Sequence, residues 1–286
     1  MSASMGDAGS LKADVTARLA HLPAFHPTAL RLLTISTESR SAMAEFETCF
    51  NSDPAFASEL LRSANSAEFG LRSEVESIRH ALALLGLERV SSLAFTIAME
   101  FYTRHTPRRQ VIHPVWSHSV ASGLISEALG AAFGAPLGSL YTAGLMHDLG
   151  RLGLLMAEPG KYEPILTQVY ETLDESPELE IAATGVTHTE AGAWMAESWS
   201  IPAPICQCIR RHHDVPDGEP RFQQPVDLVR LACRMAVAFG YAELNCRNRE
   251  SLDDVLRELP PAVRAHAALA PERISKRIKK TLGSVW

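Results

Sequence analysis

His147 and Asp148 stand side by side in the string GLMHDLGRL, an imidazole next to a carboxylate at the end of an apolar segment. Neutral imidazole and carboxylate oxygen together suit zinc, manganese or iron, and a carboxylate can bridge two such ions. A single His-Asp pair is a weak signal, so its company decides the matter. His118 in WSHS, His188 in THTEAG and the doublet His212 and His213 in RRHH all fall in the same half of the chain, near the ends of expected helices. Each has a plainer account as well. His147 could donate to a helix-end carbonyl, His188 could serve a helix start, and the doublet could lie in solvent. Taken as a set they make a candidate site for one or two divalent ions, and the core of a helical bundle is a usual place for one.

Those side chains need rigid elements to bring them together, and the periodicity supplies helices. Asp53-Pro54 is a strong start, because the aspartate caps free amides while proline fits the first helical position. Phe56, Leu60, Leu61 and Ala64 then share a face. Ser77 caps a second stripe of Ile78, Ala81, Leu82 and Leu85, which Gly86 ends, and Val90, Ala94, Ile97 and Phe101 line a third from Leu87 to about Tyr102. A polar connector follows at 104–114. Beyond it, helices are expected near 115–133, 138–148, 161–173, 178–184, 188–198, 203–212 and 225–239, and another from Ser251. Alternating strand patterns are essentially absent, so the fold class is all-α, a two-lobed helical bundle. The basic run Lys276, Arg277, Lys279 and Lys280 reads as a solvated helix face.

Composition narrows the function classes. Hydrophobic residues at 46% and charged residues at 21% allow a buried core and exclude wholesale disorder. A net charge of -6 disfavours nucleic acid as a partner. Five cysteines with no CxxC pair argue against a disulfide framework and for a reducing, cytoplasmic setting. No apolar run approaches the ~18 residues of a membrane span.

The order His, His-Asp, His, His-His resembles the metal-ligand series of HD-domain phosphohydrolases, including the HD-GYP branch that cleaves cyclic dinucleotides. The first half sharpens this. HLPAFHPTALRLL, NSDPAFASELLRSANSAEFG and SIRHALALLGLERVSSLAF are similar to the hallmark segments of the HDOD family, and the likeness runs over roughly residues 20–215. Taken with the connector and the expected helices, this divides the chain into a disordered tail at 1–13, an N-terminal HDOD helical lobe at 14–105, an HD-like helical lobe at 106–240 and a C-terminal helical extension at 241–286. The resemblance implies His118, His147, Asp148, His188, His212 and His213 as metal ligands for zinc, manganese or iron. The function it implies is a bacterial-type signal-transduction module, acting through protein or nucleotide-ligand binding. Signalling proteins in trans are the expected partners, since no sensor or receiver sequence precedes residue 14.

The alternative is a metal-dependent phosphohydrolase acting on a phosphate ester, nucleotide or cyclic dinucleotide, with Asp148 and Arg151 as catalytic residues. Three departures weigh against it. Cys233, in RLACRMA, stands where the closing aspartate belongs, and Asp227, six residues back and about 600° around the helix, faces elsewhere. The GYP signature is absent after His213, where 214–219 reads DVPDGE. Arg151 stands in place of a lysine; it can grip phosphate bidentately but is a poorer proton carrier. Cys233 reads either as a buried apolar cysteine or as a thiolate ligand for a soft metal.

Overall fold

The caps expected from the sequence are formed in the computed structural model, which describes residues 5–66, 74–104, 109–135, 137–171, 176–214, 222 and 224–285. α1 (Met5–Ala20) precedes α2 (Pro27–Leu33), α3 (Ala42–Asn51) and α4 (Pro54–Ala64), and the Asp53 carboxylate accepts from the Phe56 amide to start α4. Ser77 does the same for α5 (Ile78–Leu85) through the His80 amide, and Gly86 ends it at φ 81°. α6 (Leu87–Arg104) then runs back through the first lobe, burying Val90, Ala94, Phe95 and Ile97. α1 begins within the stretch expected to be a tail. Val15 and Leu19 on its inner face are buried, and the helix lies against second-lobe elements rather than fraying.

The second lobe opens with α7 (Arg109–Phe133), which starts earlier than expected and carries Pro114 inside it. Burial of Ile112, Val115 and Trp116 holds that first stretch helical against the proline. The rest of the expected connector, residues 105–108, lies outside the described residues. α8 (Leu137–Met146), α9 (Leu149–Ala157), α10 (Pro159–Thr167), α11 (Ser176–Thr184), α12 (His188–Ser198), α13 (Ala203–Arg211) and α14 (Pro225–Ala238) follow. Beyond them come α15 (Leu252–Arg257), α16 (Pro261–Arg264), a short 3-10 turn at Ala267–Leu269 and α17 (Pro271–Val285). The only extended pairing among the described residues is parallel and two residues long, Val169–Tyr170 (β1) against Asn245–Cys246 (β2). No single described helix is long and apolar enough to cross a membrane.

Both lobes share one hydrophobic core. Trp199, at the end of α12, stacks on Phe25 at 5.6 Å between ring centroids and meets Tyr102 edge-on at 5.5 Å. The Thr96 hydroxyl of α6 is 2.6 Å from the Tyr141 hydroxyl of α8. These contacts hold the lobes together through aromatic burial and a buried hydrogen bond.

The expected helices leave 149–160 without one, yet α9 occupies Leu149–Ala157 and holds both Gly150 and Gly153. The structure explains both glycines by proximity. A Cβ on Gly150 would sit 1.8 Å from the His188 carbonyl oxygen and 2.6 Å from the Gly192 amide, and one on Gly153 would strike the Met195 sulfur at 2.3 Å. Backbone of α9 therefore lies directly on backbone of α12. Gly150→Ala is expected to destabilise the protein by about 1–3 kcal/mol or more through overpacking. Urea unfolding measures this, and an unchanged midpoint would show that the two helices do not touch as described.

Candidate metal centre

Six elements converge on one buried cluster. His118 comes from the middle of α7, His147 and Asp148 from the corner between α8 and α9, His188 from the first position of α12, His212 from the end of α13 and Cys233 from α14. The corner is informative in itself. Asp148 occupies the N-cap position of α9, where a carboxylate ordinarily accepts from a first-turn amide, yet it makes no such bond. It turns inward instead. Its Oδ1 lies 3.4 Å from His188 Nε2 and 3.5 Å from His212 Nε2, while its Oδ2 lies 3.8 Å from His147 Nε2 and 3.9 Å from His118 Nε2.

The four imidazoles are oriented alike. His118 Nδ1 meets the Tyr241 carbonyl at 2.7 Å, His147 Nδ1 the Gly144 carbonyl at 2.7 Å, and His212 Nδ1 the Ile209 carbonyl at 2.9 Å. His188 Nδ1 meets Glu180 Oε2 at 2.8 Å. A carbonyl or carboxylate oxygen only accepts, so each Nδ1 carries a proton and each ring turns its Nε2 inward. His118 Nε2 and His147 Nε2 then face each other at 3.1 Å. An ion between or beside them would engage both nitrogens. Two ring nitrogens each ~2.0–2.1 Å from one zinc, at a roughly tetrahedral angle, would be about 3.3 Å apart.

Electrostatics lead to the same need. Burial holds His147 well below its ordinary pKa and lowers that of His212, although Asp148 opposes both shifts, so these rings stay neutral. For Asp148, burial opposes ionisation, yet the Arg151 guanidinium 3.2 Å away outweighs it and keeps the carboxyl well below its usual range. Three buried carboxylates, Asp148, Glu180 and Glu243, face one buried guanidinium, that of Arg151. Arg151 Nε is 3.2 Å from Asp148, its Nη1 2.9 Å from Glu180 and its Nη2 3.8 Å from Glu243. Two negative charges are left over in a dry site, and a divalent ion would balance them. Asp148 Oδ1, His188 Nε2, His212 Nε2 and Glu243 Oε2 are also buried without a hydrogen bond, so the residues present fit a metal ion.

The expected ligand set is thus brought together, with two refinements. His213 packs its ring on His212 and His188, at centroid distances of 4.1 and 5.1 Å, and although exposed it keeps a ring nitrogen within 4.8 Å of the donor atoms of Asp148, His188 and His212. Arg151 is 1% exposed and taken up by carboxylates and by the Tyr162 hydroxyl at 3.5 Å, so it is not poised at a surface to meet phosphate. Cys233 does point into the cluster, its Sγ 3.5 Å from His118 Nε2, and burial pushes its thiol well above the ordinary range, with Glu243 adding to the effect. Asp227 caps the start of α14 and lies 3.8 Å from Arg230, away from the site.

Sequence reasoning missed Glu180 and Glu243. Glu180 carried a usable signal, since it is the one charged position on the inner face of α11. Glu243 carried none. It follows the turn at Gly240, φ 92°, and is fixed by the pairing of β2 with β1 two residues later. Its Oε2 lies 3.2 Å from His118 Nδ1, on the side of that ring away from His147.

Fold and site together define a two-lobed, all-helical protein with a buried His/Asp cluster of metal-binding type. The chain belongs to the HDOD family, whose domain model matches residues 22–215. A protein of Treponema pallidum (strain Nichols) with no described function is 25% identical over 234 residues, a match covering 80% of this chain and 44% of that one. This chain therefore spans less than half of that relative's length. Among solved structures, a provisionally named signal transduction protein from Marinobacter aquaeolei VT8 superposes with a TM-score of 0.71 at 20% identity, covering 99% of this chain and 67% of the other. A provisionally named phosphohydrolase from Shewanella amazonensis SB2B gives 0.67 at 18% identity, covering 96% of each. At those identities the likeness establishes the shared fold.

Glu180 yields a pH prediction. Burial opposes its charge, but His188 and Arg151 more than offset this and bring its pKa down to about 2 from 4.5. Because the folded value is depressed, the contribution is complete above about pH 4.5 and is lost as pH falls toward 2; it amounts to about 3 kcal/mol. Glu180→Gln should lower stability at neutral pH and flatten that acid limb. Urea midpoints measured for both proteins between pH 2 and 7 provide the check, and parallel curves would refute the coupling.

Proposed function

We propose that this chain is a regulatory module of a bacterial-type signalling system, acting through protein or nucleotide-ligand binding, with a metal centre that locks its second lobe. In this reading residues 14–105 form the interaction lobe, 106–240 the metal lobe and 241–286 a helical extension, and signalling proteins in trans are the partners. The five cysteines are unpaired and buried, which suits a reducing cytoplasm. The observation that carries the reading is enclosure. His118, His147, Asp148, His188 and His212 are each at most 1% exposed, and the one buried cation among them is occupied by carboxylates. A closed donor set of this kind is characteristic of structural metal sites, whereas catalytic ones keep a position open to water and substrate.

A second reading, metal-dependent phosphohydrolase, is favoured by one feature: each oxygen of Asp148 faces a different pair of imidazoles, the arrangement of a carboxylate shared by two ions. Zinc, manganese or iron there would activate water and polarise a phosphoryl oxygen. Asp148 would then orient the site, Arg151 would fix Asp148, and His213 would mark the approach from solvent.

Elemental analysis of purified protein, thermal unfolding with and without chelator, and a screen of phosphate esters and cyclic dinucleotides separate the readings. The regulatory reading expects bound metal, a melting temperature that falls on chelation, and no turnover. Turnover at ordinary enzymatic rates would replace it with the second. Cys233→Asp refines the test. Adding a buried carboxylate should destabilise the metal-free protein by about 1–3 kcal/mol, and yet tighten manganese binding, since manganese prefers oxygen to sulfur. Calorimetry showing unchanged manganese affinity would remove Cys233 from the site.

A further inference from the structure

Away from the His/Asp cluster, α6, α7 and α17 enclose a cleft of about 140 Å³ next to the 3-10 turn. Its apolar surface comes from Leu124, Ala128, Ala131, Ala268 and Ile274, and its charged lining from Arg89, Arg273, Arg277 and Glu127. Arg277 is already paired with Glu127, whose carboxylate is nearly buried. Arg89 and Arg273 are exposed and have no ion pair or hydrogen bond with any described residue. Glu88 and Glu272, their neighbours in sequence, are not among the lining residues.

The placement of the two unpaired arginines is unusual. Each is the third residue of its helix, Arg89 in α6 and Arg273 in α17. The amino end of a helix already carries partial positive charge, so a cation in the first turn is unfavourable unless an anion joins it. Each first turn also carries a glutamate, Glu88 in α6 and Glu272 in α17, and what sets the two arginines apart is that they, and not these glutamates, line the cleft. Three guanidiniums against one carboxylate leave two positive charges, in a protein whose net charge is -6. Planar guanidiniums grip phosphoryl oxygens in bidentate fashion.

We propose that this cleft binds a small phosphate monoester or phosphonate, its dianionic group held by Arg89 and Arg273 and a short apolar substituent resting on Leu124, Ala128 and Ile274. The volume sets the size class. Pockets for drug-sized ligands run to roughly 300–1,000 Å³, so this cleft takes one phosphoryl group and a small substituent and has no room for a dinucleotide. The site does not depend on the metal centre. Its occupation would fasten the terminal helix α17 to α6 of the first lobe and α7 of the second.

Phenylphosphonate, which is not hydrolysed, is the probe. Calorimetric titration of the full chain at constant ionic strength should show saturable binding of one equivalent, unchanged by EDTA. The Arg89→Gln/Arg273→Gln variant should bind at least tenfold more weakly while keeping the wild-type melting temperature without ligand, because neither side chain supports the fold. Absence of saturable binding, undiminished binding in the double variant, or loss of binding on chelation would each overturn the assignment. Vesicles of phosphatidic acid and phosphatidylcholine should not co-sediment the protein. Co-sedimentation abolished in the double variant would identify a lipid headgroup as the occupant and overturn the small-molecule assignment.

Discussion

Asp148 carries a full negative charge at a position 1% exposed, and the second lobe is arranged around it. A carboxylate removed from water must find compensation from fixed neighbours, and here these come from four separate helices and a helix corner. Arg151, one turn along α9, provides the only formal opposite charge in the cluster. The imidazoles contribute lone pairs instead, because every Nδ1 proton is already committed outward. The cluster is therefore an electron-rich cavity wall whose members cannot satisfy one another. A wall of this kind has the donor chemistry that would suit a cation.

That requirement dictates the backbone. For Asp148 to reach both His188 and His212, α9 must lie on α12 at backbone distance, which only Gly150 and Gly192 allow. A capping box, in which Thr187 and Glu190 bond each other's amides, fixes the start of α12 and with it the direction of His188. Glu180 then accepts from both the His188 amide and its ring, tying α11 to the same ligand. Even the two-residue pairing of β1 with β2 has a place in this scheme, since it anchors the segment that carries Glu243.

The parts legible in the sequence were those encoded locally. Asp53, Ser77 and Ser251 cap as read, because a cap needs only a side chain and an amide three residues on. The histidines and Asp148 were legible as a set by residue type and order. Cys233 was expected to face the cluster from the family resemblance, and helical phase then put Asp227 on another face. What escaped depends on distant chain. The glycines of α9 have their reason in α12, some forty residues later in sequence. Pro114 read as a boundary and sits inside α7, because buried Ile112 and Trp116 override it. Nothing in the sequence shows that Asp148, Glu180 and the Tyr162 hydroxyl engage the guanidinium of Arg151.

Helix α7 joins these features. It carries His118 in its middle and Leu124, Glu127, Ala128 and Ala131 further along, so the His/Asp cluster and the arginine-lined cleft both border one 25-residue element. Nine residues separate His118 from Glu127, about 13 Å of helix. Its flanks are closely packed: α8 lies so near that a Cβ on Gly144 would meet Ser126 Oγ at 2.4 Å, and α14 lies along its other side. An element held this tightly moves as a unit or not at all, because dense packing leaves discrete arrangements rather than a continuum. Whatever shifts α17 against α7 must therefore either leave His118 where it is or carry it bodily relative to His147. With those two Nε2 atoms 3.1 Å apart, even a sub-ångström displacement changes the cavity a cation would see.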